Sequence, residues 1–388
     1  MGSKAICTAY CINLLCVCVF LVGVFPAPPA SAQTPSADAT ADRPADYVVF
    51  ITLDGLRGEE VFSGMDRRLA LPDLGVKDPA AFVEEFDADV AETRRIKLLP
   101  FLWQRIENDG WIAGDWTRDS MVQVTNGKCF SYPGYNELLC GFADDRIDSN
   151  AKRYNPNTTV LEWLHARPEF SGRVAAFGSW DVFPYIINDR RSGIPVNAGW
   201  MPFSVGKEPA ALEALNVVAK HLPQEWASVR YDALTAQGAI EYLRARQPRV
   251  LYLSLGETDD WAHAGRYDRY IEAARHDDAL IQRVWETTQA LDSYRGRTAF
   301  LISVDHGRGD GREGWKNHSA SIPGSERIWV AAFGAGVTGR GIDAGGRFTQ
   351  SQLAATLAAL LGEDYCAAVP QAGAPLPIVG AVTPPPAP

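Results

Sequence analysis

Carboxylates and imidazoles in this sequence fall at, or a few residues after, the ends of short apolar, β-branched runs. Six side chains share this placement: Asp54, Asp259, His263, Asp305, His306 and His318. In open α/β sheets the carboxyl ends of the strands meet at one edge, where ligands bind. Imidazole nitrogens mixed with carboxylate oxygens suit Zn2+ or Mn2+ better than the all-oxygen sites of Ca2+ and Mg2+. The set therefore predicts a metal centre.

Six ligands are too many for one tetrahedral zinc ion, but two ions would receive three protein ligands each. Two metals about 4 Å apart can clamp the attacking and leaving oxygens of an in-line displacement at phosphorus. Each residue alone is weak evidence, because an aspartate after a strand is usually part of a turn. The prediction rests on their joint occurrence at strand ends.

A serine precedes a short helical pattern in CFSYPGYNELLCG, residues 129–141. Pro133 can occupy the first turn of a helix, and Gly141 can end it. Ser131 would then lie at the helix N-terminus, where free N–H groups and the helix dipole favour an alkoxide or a phosphate. A plain capping serine is the alternative, and the metal ligands elsewhere favour a nucleophile.

The elements that must position these residues alternate along the chain. Predicted strands, near-continuously apolar like the buried strands of parallel sheets, cover 47–53, 173–178, 249–256, 298–304 and 327–334. Predicted helices cover 97–109, 158–166, 231–247, 267–294 and 349–362. This alternation predicts an α/β fold: a three-layer sandwich with a mostly parallel central sheet and helices on both faces.

Composition limits the classes of function. The 388 residues are 46% hydrophobic, enough for one large domain or two smaller ones. The formal net charge is −10 and there are no basic runs, so binding of duplex nucleic acid is not expected.

The first 32 residues have the pattern of a secretory signal peptide. Lys4 precedes an apolar run at 11–25, and the small residues ASA at 30–32 resemble a cleavage site. An uncleaved membrane anchor is the alternative, but the run is short for a span and prolines follow it. We therefore expect an exported protein, periplasmic or secreted, with no stable membrane span after cleavage.

The remaining chain divides into a linker at 33–45, a catalytic domain at 46–364 and a Pro/Ala-rich tail at 365–388, expected to be disordered or loosely packed. The segment 179–229 is a candidate lid insertion, with a structural crossover as the alternative. Its aromatic residues Trp180, Phe183 and Tyr185 could stack on a substrate ring or belong to the core.

After the predicted cleavage, the cysteines that remain are Cys129, Cys140 and Cys366. Export would permit a disulfide, and three cysteines leave at least one unpaired. The sequence does not decide which two would pair.

The motifs FITLDG, a serine before x-P-x-x-x-x-L-x-x-G, an Asp-x-x-x-His after a strand, SVDHG and a late histidine resemble the alkaline phosphatase superfamily. The chain looks most similar to its type I phosphodiesterase/nucleotide pyrophosphatase group, from about Tyr47 to Leu361. The resemblance implies two metals, usually Zn2+, with these ligands: Asp259, His263 and His318 for one, and Asp54, Asp305, His306 and Ser131 for the other. It further implies that Ser131 attacks phosphorus and that the resulting phosphoserine is hydrolysed.

The sequence departs from the family pattern near the serine. Tyr135 stands where sulfatases of this superfamily carry arginine, which disfavours a formylglycine sulfatase. The phosphodiesterase group uses an asparagine about twenty residues after the nucleophile to hold a phosphate oxygen. Asn150 matches that position, and Asn155 is the second choice. Arg146 stays open as a phosphate ligand, whereas Lys316 is expected to be a surface residue.

The sequence thus predicts a hydrolase of small phosphate mono- or diesters that acts through a phosphoserine on Ser131. The alternatives are a sulfatase-like hydrolase of the same fold and a non-catalytic periplasmic binding module. A serine esterase is disfavoured, because no G-x-S-x-G motif occurs and the strand-end ligands would have no role. The physiological substrate, the choice between monoester and diester, and the oligomeric state stay open.

Overall fold

The computed structural model describes residues 45–206 and 209–380. The predicted signal peptide and nearly all of the predicted linker lie outside these described residues.

Two sheets organise the described chain. The strands are β1 Tyr47–Leu53, β2 Trp111–Ala113, β3 Met121–Gln123, β4 Val174–Gly178, β5 Val196–Ala198, β6 Val250–Leu255, β7 Thr298–Ser303, β8 Arg327–Ile328, β9 Val330–Gly334, β10 Gly341–Ile342 and β11 Arg347–Thr349. The central sheet has the order β10-β2-β9-β7-β1-β6-β4-β5, and a smaller sheet has the order β11-β3-β8. In the central sheet β9 runs antiparallel to β7 and β2, and the other neighbouring pairs are parallel.

Helices pack around this sheet. They are α1 Gly58–Ser63, α2 Pro79–Phe86, α3 Ala91–Leu98, α4 Pro100–Asn108, α5 Ser131–Cys140, α6 Val160–His165, α7 Phe183–Ile187, α8 Asp189–Ser192, α9 Ala210–His221, α10 Asp232–Arg246, α11 Glu257–His263, α12 Tyr267–Ala290, α13 Gly311–Gly314, α14 Leu353–Leu360 and α15 Tyr365–Ala368. The predicted α/β class with a mostly parallel sheet is confirmed.

Two predicted elements are divided in the structure. The strand predicted at 327–334 breaks at Trp329, so that β8 joins the small sheet and β9 enters the central sheet antiparallel to β7. The helix predicted at 97–109 is split between α3 and α4 at Pro100, which cannot donate the hydrogen bond that a continuous helix needs.

The segment 179–229 is tied to the sheet. Trp180 forms an antiparallel bridge with Val229, and β5 from this segment pairs with β4 at the sheet edge. The first half of the segment therefore extends the central sheet through β5. Its function as a lid stays a prediction.

The segment after α14 packs more tightly than the sequence suggested. Tyr365, Leu376 and Ile378 are buried, and Val379 forms a bridge with Val337. The expectation of a loose tail is therefore wrong at Tyr365, Leu376 and Ile378, whose side chains join the core. Separately, none of the helices in the described ranges is long and apolar enough to cross a membrane.

Candidate metal centre

The centre lies at the carboxyl edge of the three innermost strands. β1 pairs in parallel with β6 on one side and with β7 on the other, and Thr52 lies between Ser254 and Ser303. Because these strands end at one level, Asp54 after β1 and Asp305 after β7 meet there. The helix α11 follows β6 and brings Asp259 to the same edge.

One donor cluster is fully buried. His306 Nε2 lies 3.4 Å from Asp54 Oδ1 and 3.3 Å from Asp305 Oδ2. These three atoms have no hydrogen-bond partner in the described structure. Buried polar atoms normally have a hydrogen-bond partner. Three such atoms that lack one and face one another are the arrangement expected of metal-ligating atoms.

A second cluster shares His306 with the first. It combines Asp259, His306 and His318, with Asp259 Oδ1 3.8 Å from His306 Nε2 and 3.7 Å from His318 Nε2. His263 is closer to the surface, and its Nε2 lies 3.0 Å from His318 Nε2 and 3.4 Å from Asp259 Oδ2. The structure thus gathers all six predicted strand-end ligands, with His306 between the two clusters.

The electrostatics of the first cluster fit cations. Burial, followed by the charge of Asp259, raises the pKa of Asp54 to about 7. Burial and the Asp54 charge also raise the pKa of Asp305 well above its usual range. Burial lowers the pKa of His306 to about 4, which leaves a neutral imidazole at neutral pH. The cluster therefore lacks positive charge, which a divalent cation would supply.

The second cluster does have a positive charge nearby, because the buried guanidinium of Arg308 lies beside Asp259. Its Nη2 donates to Asp259 Oδ1, its Nε to Gly55 O at 3.1 Å, and its Nη1 to Lys316 O at 2.9 Å. Burial alone would raise the pKa of Asp259, but the Arg308 charge and the nearby imidazoles hold it well below the usual range. Arg308 thus keeps Asp259 ionised and fixes its orientation.

Ser131 is the first residue of α5, and it is buried beside this edge. Gly141 ends the helix with φ 82° and donates to Glu137 O, as the sequence predicted. Two backbone contacts connect α5 and the loop before it to the donor clusters. His318 Nδ1 lies 3.0 Å from the carbonyl oxygen of Cys129, and Gly134 packs directly on the backbone of Asp305.

The two candidate phosphate-binding asparagines have different surroundings. Asn150 is exposed, and its Oδ1 accepts from the amide of Tyr132, the residue after Ser131, at 3.0 Å. Asn155 is fully buried, and its Nδ2 donates to Asn136 Oδ1 and Ile186 O, both at 3.1 Å. Asn155 is therefore occupied within the fold, and Asn150 lies beside the candidate nucleophile.

A cavity of about 190 Å³ adjoins Tyr132, with Arg146, Arg153 and Tyr154 in its wall. Arg146 is held by Asp144 and by Asn157 Oδ1, at 2.6 and 2.9 Å. The cavity gives the side of the molecule near α5 a basic and aromatic lining. Lys316, as expected of a surface residue, pairs with Glu313 at 3.0 Å.

Comparisons with known proteins place this geometry in a known fold. No family model matches the chain. GPI ethanolamine phosphate transferase 1 of Aspergillus oryzae is 24% identical over 306 residues, which cover 77% of this chain and 26% of that protein. The corresponding protein of Neurospora crassa is 24% identical over 301 residues, covering 76% and 26%. The chain thus spans about a quarter of the length of these curated relatives.

Solved structures agree at the level of architecture. The wild-type alkaline phosphatase PafA aligns with a TM-score of 0.55 at 10% identity, covering 87% of this chain and 99% of that one. Ps i-CgsB in complex with k-i-k-neocarrahexaose aligns with a TM-score of 0.51 at 13% identity, covering 86% and 75%. The chain has the alkaline phosphatase superfamily fold. Its closer likeness to the type I phosphodiesterase group stays a prediction.

Within this superfamily fold, Tyr135 has a role that the sequence did not reveal. Its hydroxyl donates to Asp54 Oδ2 at 2.9 Å and lies 3.2 Å from Ser254 Oγ. The phenol therefore occupies the space beneath Asp54 and orients that carboxylate. Sequence reasoning noted Tyr135 only as the replacement for a sulfatase arginine.

Asp232 was also missed, because it lies on α10 far from the motifs. Its carboxylate accepts from the amides of Gly256 and Glu257, at 2.8 and 2.7 Å, and so caps the helix that carries Asp259. Arg308 could have been noticed as a cation two residues after His306, yet only the fold shows that it is buried.

The aromatic residues predicted near the site divide between core and surface. Phe183 is buried against Tyr135, with ring centroids 4.8 Å apart, and belongs to the core. Tyr185 packs on Tyr154 at 4.7 Å, next to the cavity beside Tyr132. Trp180 is partly buried.

All three cysteines of the described chain are free thiols, so the structure contains no disulfide among them.

Proposed function

We propose that this protein is a two-metal hydrolase of phosphate mono- or diesters with Ser131 as the nucleophile. The observation that carries the proposal is the convergence of three unpaired buried donor atoms, Asp54 Oδ1, Asp305 Oδ2 and His306 Nε2, at the edge where α5 begins. An ordinary capping serine would not require a carboxylate–imidazole cluster beside it.

Two divalent cations, most simply Zn2+ or else Mn2+, would neutralise the carboxylates and lower the pKa of a nearby hydroxyl. Asp54, Asp305 and His306 would hold one, and Asp259, His263 and His318 the other. His306 lies within reach of both clusters. Arg308 and Tyr135 would keep Asp259 and Asp54 in place for this purpose.

In the first step the Ser131 Oγ–phosphorus bond forms and the bond to the leaving oxygen breaks, so that the serine is phosphorylated. The Ser131 hydroxyl proton passes to water and the leaving oxygen takes a proton from water, so that no proton is gained or lost. The positive end of the α5 dipole would favour the developing negative charge, although the Tyr132 amide already donates to Asn150 and Pro133 has no N–H to offer. In the second step water displaces Ser131 from phosphorus, and the serine recovers its proton.

Asn150 would hold a phosphate oxygen through its Nδ2. Support comes from the hydrogen bond that Asn150 Oδ1 accepts from the backbone amide of Tyr132. Because this bond holds Oδ1 toward the helix, the NH2 group of the Asn150 side chain points away from it. We expect Asn150→Ala to raise KM and lower kcat while leaving the metal content unchanged.

Transfer to an alcohol instead of water is a second candidate, favoured by the names of the two curated relatives, which are ethanolamine phosphate transferases. The same phosphoserine would serve either outcome, because the acceptor enters only in the second step. Adding ethanolamine or glycerol to a bis-p-nitrophenyl phosphate assay would show transfer as a phosphorylated alcohol.

The deciding experiment combines metal analysis with activity. We expect about two zinc ions per chain by mass spectrometry and turnover of p-nitrophenyl phosphate or bis-p-nitrophenyl phosphate. p-Nitrophenyl sulfate, the probe for the sulfatase alternative, should be a poor substrate. Ser131→Ala should retain the metals and lose turnover, whereas Ser171→Ala, at an exposed serine, should behave like the wild type. A metal-free protein or an active Ser131→Ala would refute the proposal.

Export belongs to the proposal as well, and its support is the signal-like pattern at 1–32. The N-terminal sequence of protein recovered outside the cytoplasm should begin near Gln33. A chain retained with Met1 would contradict it.

A further inference from the structure

We infer that a second ligand site lies at Arg230, separate from the metal centre, and that it binds a small organic carboxylate with an apolar body. The inference does not depend on the proposed function. It rests on a buried cation that has an unpaired N–H group and no salt bridge in the described chain, and on the cavity that this residue lines.

Arg230 is 1% exposed, and its guanidinium packs on the Phe203 ring at 4.2 Å, but its hydrogen bonds are incomplete. Its Nε donates to Thr235 Oγ1 at 3.1 Å, and its Nη1 donates to Asn197 Oδ1 at 2.9 Å and to Met201 O at 3.1 Å. Its Nη2 has no hydrogen-bond partner in the described structure. A buried donor left without a partner carries a desolvation penalty that a bound acceptor would remove.

No carboxylate of the described chain forms a salt bridge with Arg230. The nearest acidic group in sequence, Asp232, is taken up by Ser179 and by the amides of Gly256 and Glu257. Burial lowers the pKa of Arg230 to about 9, and the charge of Asp232 opposes this shift only in part. Buried charges are normally paired, since an uncompensated one is costly, and the missing partner is a negative charge.

A cavity of about 390 Å³ lies over this guanidinium. Lys220 on α9 adds a second cation to its wall, and this lysine forms no salt bridge within the described chain. Trp200, Met201 and Ala219 supply apolar surface. One buried guanidinium N–H, one ammonium and apolar walls match a carboxylate joined to a hydrocarbon body.

The site also has a route to the metal centre. Thr235 Oγ1, which accepts from Arg230, lies 2.8 Å from Ser179 Oγ, and Ser179 donates to the carboxylate of Asp232 that caps α11. An anion that draws Arg230 toward the cavity would act on this chain of hydrogen bonds.

The test measures binding of sodium hexanoate to the full-length protein by calorimetry and by thermal shift at constant ionic strength. Hexan-1-ol serves as the neutral probe and inorganic phosphate as an anion without an apolar body. We expect saturable hexanoate binding, with weaker binding of both other probes. Failure of wild-type protein to bind hexanoate, or equal binding of hexan-1-ol or phosphate, would overturn the assignment.

Variants locate the site. Arg230→Met should weaken hexanoate binding about tenfold or more, because it removes hydrogen bonds to a charged group. Lys220→Met, on the surface and unable to disturb the core, should weaken it about threefold. Arg190→Met, which alters an arginine packed on Tyr154 outside this cavity, should bind like the wild type. Unchanged hexanoate binding in Lys220→Met and Arg230→Met would sink the inference.

Discussion

Gly134 in α5 packs so closely on Asp305 that a Cβ at Gly134 would lie 2.2 Å from the backbone carbonyl oxygen of Asp305. This contact joins the helix that begins with Ser131 to the strand end that carries two candidate metal ligands. At this point backbone against backbone sets the separation of the candidate nucleophile from the candidate metal centre, and the Tyr135 hydroxyl adds a second contact at Asp54.

Gly134→Ala should push α5 away from Asp305 and lower phosphate-ester turnover about 100-fold, because a displacement near 1 Å disrupts catalytic alignment. Overpacking should also reduce the free energy of unfolding by about 1–3 kcal/mol. Kinetics and denaturant unfolding measure the two effects. Gly58→Ala is the control, because its nearest contact would be an ordinary 3.6 Å. Equal activity in both variants would contradict the argument.

Asp305→Asn should leave the Tm of the metal-free protein unchanged or raise it, but it should reduce the stabilisation that zinc provides. In the metal-free protein the change removes a carboxylate from a buried cluster that lacks positive charge, so Tm should stay the same or rise. Zinc should then add much less stabilisation than in the wild type, because one ligand charge is lost. Calorimetry with and without chelator measures both values. A lower metal-free Tm with unchanged zinc stabilisation would exclude this account.

Metal affinity should rise with pH between 5 and 7 through Asp54 and not through His306 or His318. A cation displaces a proton from Asp54 below its pKa of about 7, at up to tenfold in affinity per pH unit for one proton. His306 and His318, with pKa values lowered to about 4 and about 3 by burial, are already neutral there. Chelator competition at several pH values should show a shallower slope for Asp54→Asn. An unchanged slope would assign the proton to another group.

The same shifts give opposed effects on metal-free stability. The folded-state pKa of Asp54 is raised above 3.8, so its contribution to stability falls as pH rises from about 4 to 7. The pKa of His306 is lowered from 6.5 to about 4, so its contribution rises over that window. Metal-free stability should therefore vary with pH less than metal affinity does.

Arg308→Met should destabilise the protein by about 3–5 kcal/mol, because it removes one partner of a buried charge pair and three hydrogen bonds to backbone oxygens. The pKa of Asp259 should rise, so zinc binding should weaken more at pH 6 than at pH 8. Unfolding and metal titrations at both pH values test this. Arg312→Met, at an exposed arginine, is the control.

Asp232→Ala should remove the cap of α11 and cost about 1–2 kcal/mol. It should also weaken metal binding, because α11 carries Asp259 and His263. Asp78→Ala is the control for loss of a helix cap away from the centre, since the exposed Asp78 caps α2 through the amide of Ala81. Asp78→Ala should leave metal affinity unchanged, and equal affinities in the two variants would show that Asp232 does not position the ligands.

The sequence predicts those parts of the molecule whose signals are local. The runs that became β1, β4, β6 and β7 are continuously apolar because they are buried on both faces, and Ser131 follows from the proline and glycine around α5. The direction of β9 is not local, since the break at Trp329 depends on which sheet each half joins. β2 and β10 are too short to produce a pattern.

The same distinction holds for the candidate centre. Asp54, Asp259 and Asp305 follow strands and could be expected to meet. That His306 lies within reach of both ligand clusters depends on side-chain distances, which the sequence does not give. Tyr135 and Arg308 act through hydrogen bonds to residues more than 40 positions away. No spacing in the sequence encodes those contacts.

The place of β1 in the sheet has a consequence for the order of events during synthesis. β1 is the first strand of the described chain, yet its neighbours in the sheet are β6 and β7. About two hundred residues are therefore synthesised between Asp54 and the residues at the ends of those strands, such as Thr258. Such long-range pairing delays folding. The nascent chain consequently cannot complete the candidate metal centre until β7 and the loop with His318 have emerged, so stabilisation by added metal would report that the central sheet has closed.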